Sequence, residues 1–478
     1  MDKQQLFSKI ESQHSTFSAL SDRIWDKAEL SLKEHQSMAE YVALLQELGF
    51  TVETGLAGVE TAFSGTFGSG KPVIGFLGEF DALSGLSQKS GVTHKEPIVN
   101  GGSGHGCGHN LLGAGALAAA NAIKEYLAEK GEGSGTVIFY GCPGEEGNAG
   151  KAFMAQKDIF THLDAAITWH GDDVNEVVSG SCLASYQILY TFSGSAAHAA
   201  GCPHMGRSAL DAMELMNVGV QFLREHIPQH DGFHYAILDN GGSSPNVVQP
   251  TASVLYMLRS DNVPNIRRLA QRVHKVAQGA AMMTETEATW KFIDGTADLL
   301  PNETLEKLAH KNFAAVELPS YTEEELAFAK ALRETYAVEK LPGFAAEFDG
   351  EIEDFVREAS DNGSKVINDF LVPYYHSRRV SAGSTDVGDV SHQTPTVQIH
   401  AATLPAGTPG HSWQAVAAGK SSIAHKGLLL AAKVMAATAF DLFEQPELLA
   451  AAKAEFDKRN HHGYVCPIEE GTIPTPVE

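Results

Sequence analysis

The spacing of apolar residues changes along the chain from a helical repeat to short buried runs. Over the first fifty residues apolar side chains recur at helical spacing, and Gly49 follows the last turn, as is typical of a helix end. Apolar runs of strand length then cover 72–80, 136–140 and 165–170. An alanine-rich segment at 111–130 separates the first two runs and predicts a helix. This order predicts a βαβ unit with parallel strands.

A different order of elements begins at about residue 186. The predicted elements are a strand, a helix, two strands, a helix and a strand, over 186–193, 208–226, 234–238, 253–259, 264–278 and 287–294. The βαββαβ order is typical of the split ferredoxin-like arrangement, and the segment is long enough to form its own domain. We therefore expect a domain at 185–301 that is inserted into a catalytic domain formed by 1–184 and 302–478.

The chain after Pro301 is expected to return to the first domain as helices and loops. An Ala- and Leu-rich helix at 423–443 is predicted to pack on the first sheet. The acidic and poorly periodic stretch 341–361 predicts a mobile surface loop. The fold class that follows is α/β with a sheet flanked by helices.

Composition is that of a soluble globular protein, with 478 residues, 43% hydrophobic and 20% charged, and a chain this long favours two domains. The net charge of −24 argues against nucleic acids or an anionic membrane as partners. An anionic substrate must then be bound by a few specific cations or by metal ions.

The five cysteines are an odd number scattered over the chain, which does not predict a disulfide framework. The first residues lack the pattern of a signal peptide, and no apolar run is long enough to span a bilayer. We therefore expect a cytoplasmic protein.

Several metal-binding side chains follow the predicted strands or precede a helix. Cys107 and His109 lie in a glycine-rich loop before the helix at 111–130, Glu145 and Glu146 follow one strand, and His170 ends another. Each alone has an ordinary explanation, such as a buried cysteine, a solvated acid or a hydrogen-bonded histidine. Their convergence at the carboxyl edge of one sheet predicts a metal-dependent hydrolytic site, in which one glutamate binds metal and the other is a base.

Five segments, in order over nearly the whole chain, resemble the motifs of the aminoacylase/carboxypeptidase metallopeptidase family, in its amidohydrolase branch. They are Gly104–Asn110, Pro143–Gly147, Gly194–Ala200, Ser244–Val248 and Gly407–His411. Further stretches resemble one subfamily of that branch, at 141–146, 203–211, 384–390 and 464–467. The resemblance implies a metallopeptidase-type catalytic domain with an inserted dimerisation domain.

Five metal ligands are implied by the resemblance. Cys107 is implied to bridge two divalent ions, zinc or manganese. His109 and His170 would complete the site of one ion, and Glu146 and His411 that of the other.

Two catalytic residues are implied as well. Glu145 is expected to be the general base, and His198 of the inserted domain is expected to reach the active site of a partner subunit and steady the oxyanion. A surface histidine at a strand end is the alternative for His198. Asp81 is expected to orient a ligand histidine.

Asn246 and Arg259 fall where the family contacts its substrate, and Arg207, at a helix start, is a further candidate for substrate binding. Both arginines could equally be solvated charges. Asn110 departs from the pattern, because much of the branch has Asp there. A carboxylate role at that position is therefore in doubt.

The activity implied is hydrolysis of an amide between an acyl or aroyl group and an amino acid, with p-aminobenzoyl-glutamate as the leading candidate. A dipeptidase or another N-acyl-amino-acid hydrolase of the same family is an alternative, and so is a non-catalytic subunit. The dimer could be a homodimer or a heterodimer with a related subunit.

Overall fold

The computed structural model describes residues 1–337 and 350–476. Strands lie at β1 Thr51–Thr54, β2 Phe63–Ser69, β3 Val73–Glu79, β4 Gly135–Cys142, β5 Ala165–Asp172, β6 Glu176–Val177, β7 Ser181–Cys182, β8 Ala184–Ser193, β9 Gly232–Asp239, β10 Thr251–Ser260, β11 Glu287–Thr296, β12 Val380–Ser381 and β13 Thr396–Ala402.

The α-helices are α1 Lys3–Ser12, α2 His14–Lys27, α3 His35–Glu47, α4 His109–Lys130, α5 Glu145–Asn148, α6 Gly150–Gln156, α7 Ala209–Leu223, α8 Val263–Thr284, α9 Glu303–Ala315, α10 Glu323–Arg333, α11 Glu351–Ala359, α12 Val387–Ser391, α13 Trp413–Ala418, α14 Ser422–Glu444 and α15 Pro446–Arg459. Short 3₁₀ turns lie at Leu56–Gly58, Pro203–Met205 and Arg224–His226. Within the two described ranges, no helix is both long and apolar enough to cross a membrane.

The chain divides into two compact units. Unit 1 comprises Met1–Gly180, Leu300–Arg378 and Val390–Gly463, and unit 2 comprises Ser181–Leu299, Arg379–Asp389 and the residues from Tyr464 onward. The first segment of unit 2 lies within a few residues of 185–301, and Arg379–Asp389 and the residues from Tyr464 onward also group with this unit. Asp389 explains this grouping, because it accepts hydrogen bonds from the Ala297 backbone N–H at 3.1 Å and the Tyr464 hydroxyl at 2.7 Å. The assignment of a catalytic domain and an inserted dimerisation domain stays a prediction.

Unit 1 contains a seven-stranded sheet in the order β1-β2-β4-β3-β5-β13-β6. Strand β3 pairs in parallel with β4 and β5, and β13 pairs in parallel with β5. The predicted βαβ unit, here β3-α4-β4, is therefore confirmed. The outer strands β1, β2 and β6 run antiparallel to their neighbours.

Helices α4 and α14 pack on each other and on the sheet of unit 1. The predicted helix at 423–443 is confirmed, since α14 contacts β5 and β13. Gly113 lets α4 approach β3 closely, because a Cβ there would meet the Glu79 carbonyl oxygen at 2.8 Å. This close packing brings the start of α4 beside the end of β3, where the candidate site lies.

Two expectations for the later part of the chain were wrong. Strand β13 was not predicted, although Val397 and Ile399 are buried, because polar Gln398 and His400 interrupt the apolar run. The predicted loop at 341–361 is helix α11 over Glu351–Ala359, which buries Val356 against neighbouring apolar side chains. The rest of that prediction, 341–349, lies outside the described residues.

Unit 2 has a four-stranded sheet in the order β11-β8-β10-β9, in which all neighbours are antiparallel. Helices α7 and α8 pack on each other and on this sheet. The βαββαβ order and the predicted α/β fold class are confirmed. Helix α8 runs to Thr284 rather than ending at 278.

Candidate metal centre

The glycine-rich loop before α4 presents two of the predicted ligands. Gly108 has φ +78°, a left-handed conformation that glycine adopts without strain, and α4 begins at the next residue. Cys107 and His109 therefore flank a sharp turn in the backbone. The His109 side chain is fully buried, and that of Cys107 is partly exposed.

One group of three candidate ligands consists of Cys107, His109 and His170, whose potential ligand atoms all lie within 4.8 Å of one another. His170 lies near the end of β5, with its Nε2 atom 3.2 Å from the Cys107 sulfur. Its Nδ1 atom lies 2.7 Å from the Gly171 carbonyl oxygen. A carbonyl only accepts a hydrogen bond, so Nδ1 carries the proton and Nε2 has a lone pair for a metal.

A second group shares the same thiol and consists of Cys107, Glu146 and His411, again with ligand atoms within 4.8 Å. The His411 Nε2 atom lies 3.5 Å from a Glu146 oxygen. The His411 backbone has φ +51°, an unusual value for a non-glycine residue, and its N–H donates to the Gly106 carbonyl at 3.2 Å. This bond connects the His411 loop to the loop that carries Cys107.

Asp81, just after β3, contacts residues of both groups. One of its oxygens lies 2.9 Å from Nδ1 of His109. The other accepts hydrogen bonds from the Ser31 hydroxyl at 2.8 Å and the Glu146 backbone N–H at 2.9 Å. Burial alone would raise the pKa of Asp81, but the His109 hydrogen bond and charge lower it to about 2. Asp81 is therefore ionised at neutral pH and orients His109 with its Nε2 atom toward the ligand group.

Glu145 begins the single-turn helix α5, directly after Gly144 with φ +70°. Its carboxylate lies 4.0 Å from Nε2 of His109, and 14% of the side chain is exposed. Glu145 has some access to solvent and forms a third possible metal-binding group with Glu79 and His109, whereas Glu146 belongs to the group with Cys107 and His411.

Two further buried charges belong to this site and were not predicted. A Glu79 oxygen lies 3.2 Å from Nε2 of His109, and the other pairs with the fully buried Lys151 ammonium at 2.7 Å. Although burial opposes ionisation, the charges of Lys151 and His109 lower the pKa of Glu79. Glu79 could have been found from its position, because it ends β3 two residues before Asp81. Lys151, in α6, carries no such signal.

The donor atoms fit divalent metal ions. Nε2 of His109 and one oxygen of Glu146 are buried and form no hydrogen bond, although Glu79 lies 3.2 Å from the first and His411 lies 3.5 Å from the second. Burial and the Glu146 carboxylate raise the pKa of the Cys107 thiol, so a nearby cation is needed to stabilise the thiolate. Burial and the His109 charge lower the pKa of His170 to about 4, which keeps it neutral and able to bind metal.

Asn110 has a role in packing. Its amide group donates to the Ser21 hydroxyl at 2.9 Å and to the Gly419 carbonyl at 3.1 Å. An aspartate could not make these two donations at neutral pH. The departure from the family pattern at Asn110 is thus explained by contacts with Ser21 and Gly419, not with a ligand side chain.

His198 and Asn246 are neighbours within unit 2. His198 forms an isolated β-bridge with Val247, and the Ala199 N–H donates to the Asn246 carbonyl at 3.0 Å. The exposed His198 ring accepts bonds at Nδ1 from the backbone N–H groups of Ala200 and Gly201 at 3.2 and 3.0 Å. Because Nδ1 accepts these bonds, the ring hydrogen lies on Nε2, which is a donor.

The two predicted substrate-binding arginines of unit 2 differ in their partners. Arg207 pairs with Glu285 at 2.9 Å and also donates to the carbonyls of His204 and Gly206. Arg259, near the end of β10, is half-buried and forms no ion pair with any residue of the described chain. Its guanidinium donates to the Ser384 hydroxyl at 2.5 Å. Arg259 therefore remains available to an anion, whereas Arg207 already has a carboxylate partner.

Comparison with known proteins finds relatives over the full length. The profile of peptidase family M20/M25/M40 matches residues 75–441. One of the subunits of the p-aminobenzoyl-glutamate hydrolase of Escherichia coli is 42% identical over 478 residues, covering 98% of this chain and 98% of that protein. The Xaa-Arg dipeptidase of Mus musculus is 25% identical over 474 residues, covering 95% of this chain and 92% of the dipeptidase.

A solved structure shares the fold. A dinuclear metal-binding peptidase of the M20 family from Bacillus subtilis superimposes with a TM-score of 0.54 at 16% identity, covering 91% of this chain and 99% of that one. At this level of identity, the match supports the fold alone.

Proposed function

Because this chain belongs to peptidase family M20/M25/M40, as its motifs predicted, we propose that it hydrolyses the amide bond of p-aminobenzoyl-glutamate. The observation that carries the proposal is the pair of ligand groups sharing Cys107, with Glu145 beside them. The substrate is taken from the relative that is 42% identical over 98% of the chain.

We propose that the two groups hold two divalent ions. Cys107 would be shared, His109 and His170 would complete one site, and Glu146 and His411 the other. When bound, such ions polarise a carbonyl and lower the pKa of water. Zinc suits the thiolate and manganese suits the carboxylate, so both are candidates.

Glu145 is proposed as the general base. Its carboxylate would accept the proton of the attacking water and pass it to the leaving amine nitrogen of glutamate. The partial exposure of Glu145 and its place beside Glu146 support this role, because a base must reach the water without replacing a ligand.

His198 is proposed to stabilise the oxyanion that forms at the scissile carbonyl. The bonds at Nδ1 leave Nε2–H as a donor with a defined direction. A neutral donor of this kind stabilises developing negative charge in the transition state. The resemblance implies that His198 of one subunit acts at the site of its partner.

Arg259 and Asn246 are proposed to bind the glutamate part of the substrate. Arg259 carries a half-buried positive charge in a chain of net charge −24, and the Ser384 hydroxyl holds its guanidinium in place. Such a group favours a carboxylate ligand. Substrate contact by Arg207 stays a prediction, because its guanidinium is paired with Glu285.

A dimer formed through unit 2 is part of the proposal. Apolar side chains are exposed on one side of α7 and on the edge strand β9, namely Leu215, Val218, Phe222, Tyr235, Ile237 and Leu238. Exposed apolar patches and unpaired strand edges are typical of protein interfaces. The relative of 42% identity is named as a subunit, so the partner is a second copy or a related chain.

The experiment is hydrolysis by the purified chain alone, stripped of metal and then given Zn²⁺ or Mn²⁺. We expect release of p-aminobenzoate and glutamate only with metal, and release slowed by roughly 10²–10⁴-fold in a Glu145→Gln variant prepared in the same way. An inactive chain that becomes active with a related subunit would support a heteromeric enzyme. Absence of hydrolysis in both settings would contradict the proposed function.

The alternative supported by a specific observation is dipeptide hydrolysis, because an Xaa-Arg dipeptidase is similar over 95% of the chain. The same assay with an Xaa-Arg dipeptide and an N-acetyl amino acid separates the two activities. A non-catalytic subunit is disfavoured, since the two ligand groups and Glu145 are all present.

A further inference from the structure

The segment between α2 and α3 contacts the candidate site at several points. Leu30 forms an isolated parallel bridge with Ala82, and the Ala82 N–H donates to the Glu29 carbonyl at 2.8 Å. The Ser31 hydroxyl donates to Asp81. The segment thus lies alongside Asp81 and Ala82, which follow β3 and lead into the site. Its last residue is Glu34.

Glu34 is fully buried, and hydrogen bonds occupy both of its oxygens. One oxygen accepts the backbone N–H groups of Leu32 and Gly144, each at 2.9 Å. The other accepts the Thr61 hydroxyl at 2.9 Å. Burial raises the pKa of Glu34 to about 8, and a buried polar group is costly unless it is hydrogen-bonded, so these contacts give the carboxyl group of Glu34 a single defined place.

The contact with Gly144 connects Glu34 to the turn that carries Glu145 and Glu146. Gly144 precedes α5 in a left-handed conformation, and α5 has no side-chain cap. The turn is held from the other side by Asp81, which accepts the Glu146 N–H. Two carboxylates from distant parts of the chain therefore bind two backbone donors of one short turn.

We propose that Glu34 is a positioning residue that fixes the Glu145–Glu146 turn against the metal centre. The proposal rests on the proposed function, in which Glu146 binds metal and Glu145 is the base. Without Glu34 the Gly144 N–H loses its acceptor, and both side chains of the turn lose their defined position. Binding of the ion held by Cys107, Glu146 and His411 should weaken more than binding of the ion held by Cys107, His109 and His170.

The test compares Glu34→Ala, Glu34→Gln and Glu29→Ala by Co²⁺ titration of the full-length chain. Glu29 is the matched control, because it lies in the same segment and accepts hydrogen bonds from Gln36 and Ser37 but makes none with the turn. We expect Glu34→Ala to weaken one Co²⁺ site by roughly 10–100-fold and to lower kcat with KM within about twofold. Glu29→Ala should retain both ions.

Glu34→Gln is expected to restore two-ion binding, since its amide oxygen can still accept the N–H groups and its NH₂ can donate to Thr61. If Glu34→Ala does not fold, Glu34→Asp, which withdraws the acceptor from Gly144, takes its place. Retention of both ions and of kcat in the Ala or Asp variant would overturn the proposal. So would equal losses in Glu29→Ala, or a Gln variant as impaired as the Ala variant.

The Co²⁺ titration separates this proposal from the proposed function. If the wild-type chain hydrolyses no N-acyl amino acid but Glu34→Ala still loses one ion selectively, the proposed function fails and the role of Glu34 stands. If the wild-type chain is active and Glu34→Ala binds both ions normally, the role of Glu34 fails.

Discussion

Two adjacent glutamates have different surroundings in this site. Glu146 is nearly buried, its N–H donates to Asp81, and burial raises the pKa of its carboxyl. A positive ion would reverse that shift, as expected for a ligand. Glu145 is more exposed and lies beside His109. Neighbouring positions in one turn can therefore divide metal binding and proton transfer.

Glu145→Gln should keep both metals and lose roughly 10²–10⁴-fold in kcat, because it removes a proton acceptor and no ligand. Glu146→Gln is the matched change and should lose metal. Metal analysis after dialysis, together with turnover at saturating metal, distinguishes the two. Near-normal turnover of metal-loaded Glu145→Gln would show that another group is the base.

Cys107→Ser should weaken the binding of both ions, because the shared thiolate is replaced by a hydroxyl that does not ionise at neutral pH. His411→Ala, by contrast, should weaken mainly one ion. Metal content per chain, measured across a series of free metal concentrations, checks both. Loss of a single ion from Cys107→Ser would argue against a bridging thiolate.

Among the secondary-structure elements, helices α4 and α5 begin at residues that set the positions of the candidate reactive groups. Helix α4 begins after Gly108 and α5 after Gly144, both in the left-handed conformation. Cys107 thereby lies at the N-terminal end of the 22-residue helix α4, whose partial positive charge favours a thiolate. The turn before α4 contributes both ligand geometry and electrostatics.

Gly108→Ala should cost about 1–2 kcal/mol of stability, because alanine is strained at φ +78°, and it should also weaken metal binding. Gly108→Asn should cost less, since asparagine tolerates this conformation. Gly463→Ala is the control, with φ +71° and, like Gly108, no atom within 4 Å of an added Cβ.

Denaturant unfolding and metal titration of these three variants check the prediction. Gly463→Ala should lose stability without losing metal. If Gly108→Ala binds both ions as tightly as the wild-type chain, the turn does not set the ligand geometry.

At the scale of the whole molecule, the predicted functional residues are divided between the two units. The proposed metal ligands and Glu145 belong to unit 1, and His198, Asn246, Arg207 and Arg259 belong to unit 2. If unit 2 forms the dimer, each subunit can supply His198 to its partner. In such a dimer, activity would depend on assembly.

Mixing inactive His198→Ala with inactive Glu145→Gln subunits should restore activity once subunits exchange, because some mixed dimers then contain one site with both native residues. His198→Ala alone should keep its metals and lose turnover, since an oxyanion donor contributes roughly 2.7–4 kcal/mol. Turnover of the mixture against time of exchange is the measurement.

The matched control for this mixture is Glu145→Gln with Cys107→Ser. Both residues belong to unit 1, so exchange of subunits leaves no complete site and no activity should return. If exchange is demonstrated and the His198 mixture stays inactive, His198 acts within its own chain or the working partner is a different chain.

Local patterns in the sequence predicted most of the element types, the βαββαβ order and the candidate ligand types around Cys107, because periodicity and residue chemistry are visible at short range. The other features of the fold and of the candidate site depend on tertiary contacts. Strand β13 is recognised from its parallel pairing with β5, because polar residues interrupt its apolar run. Lys151 joins the site through its buried pair with Glu79, and Glu34 joins it through Gly144, 110 positions away. Contacts between such distant residues depend on how the elements pack, and local sequence patterns do not predict them.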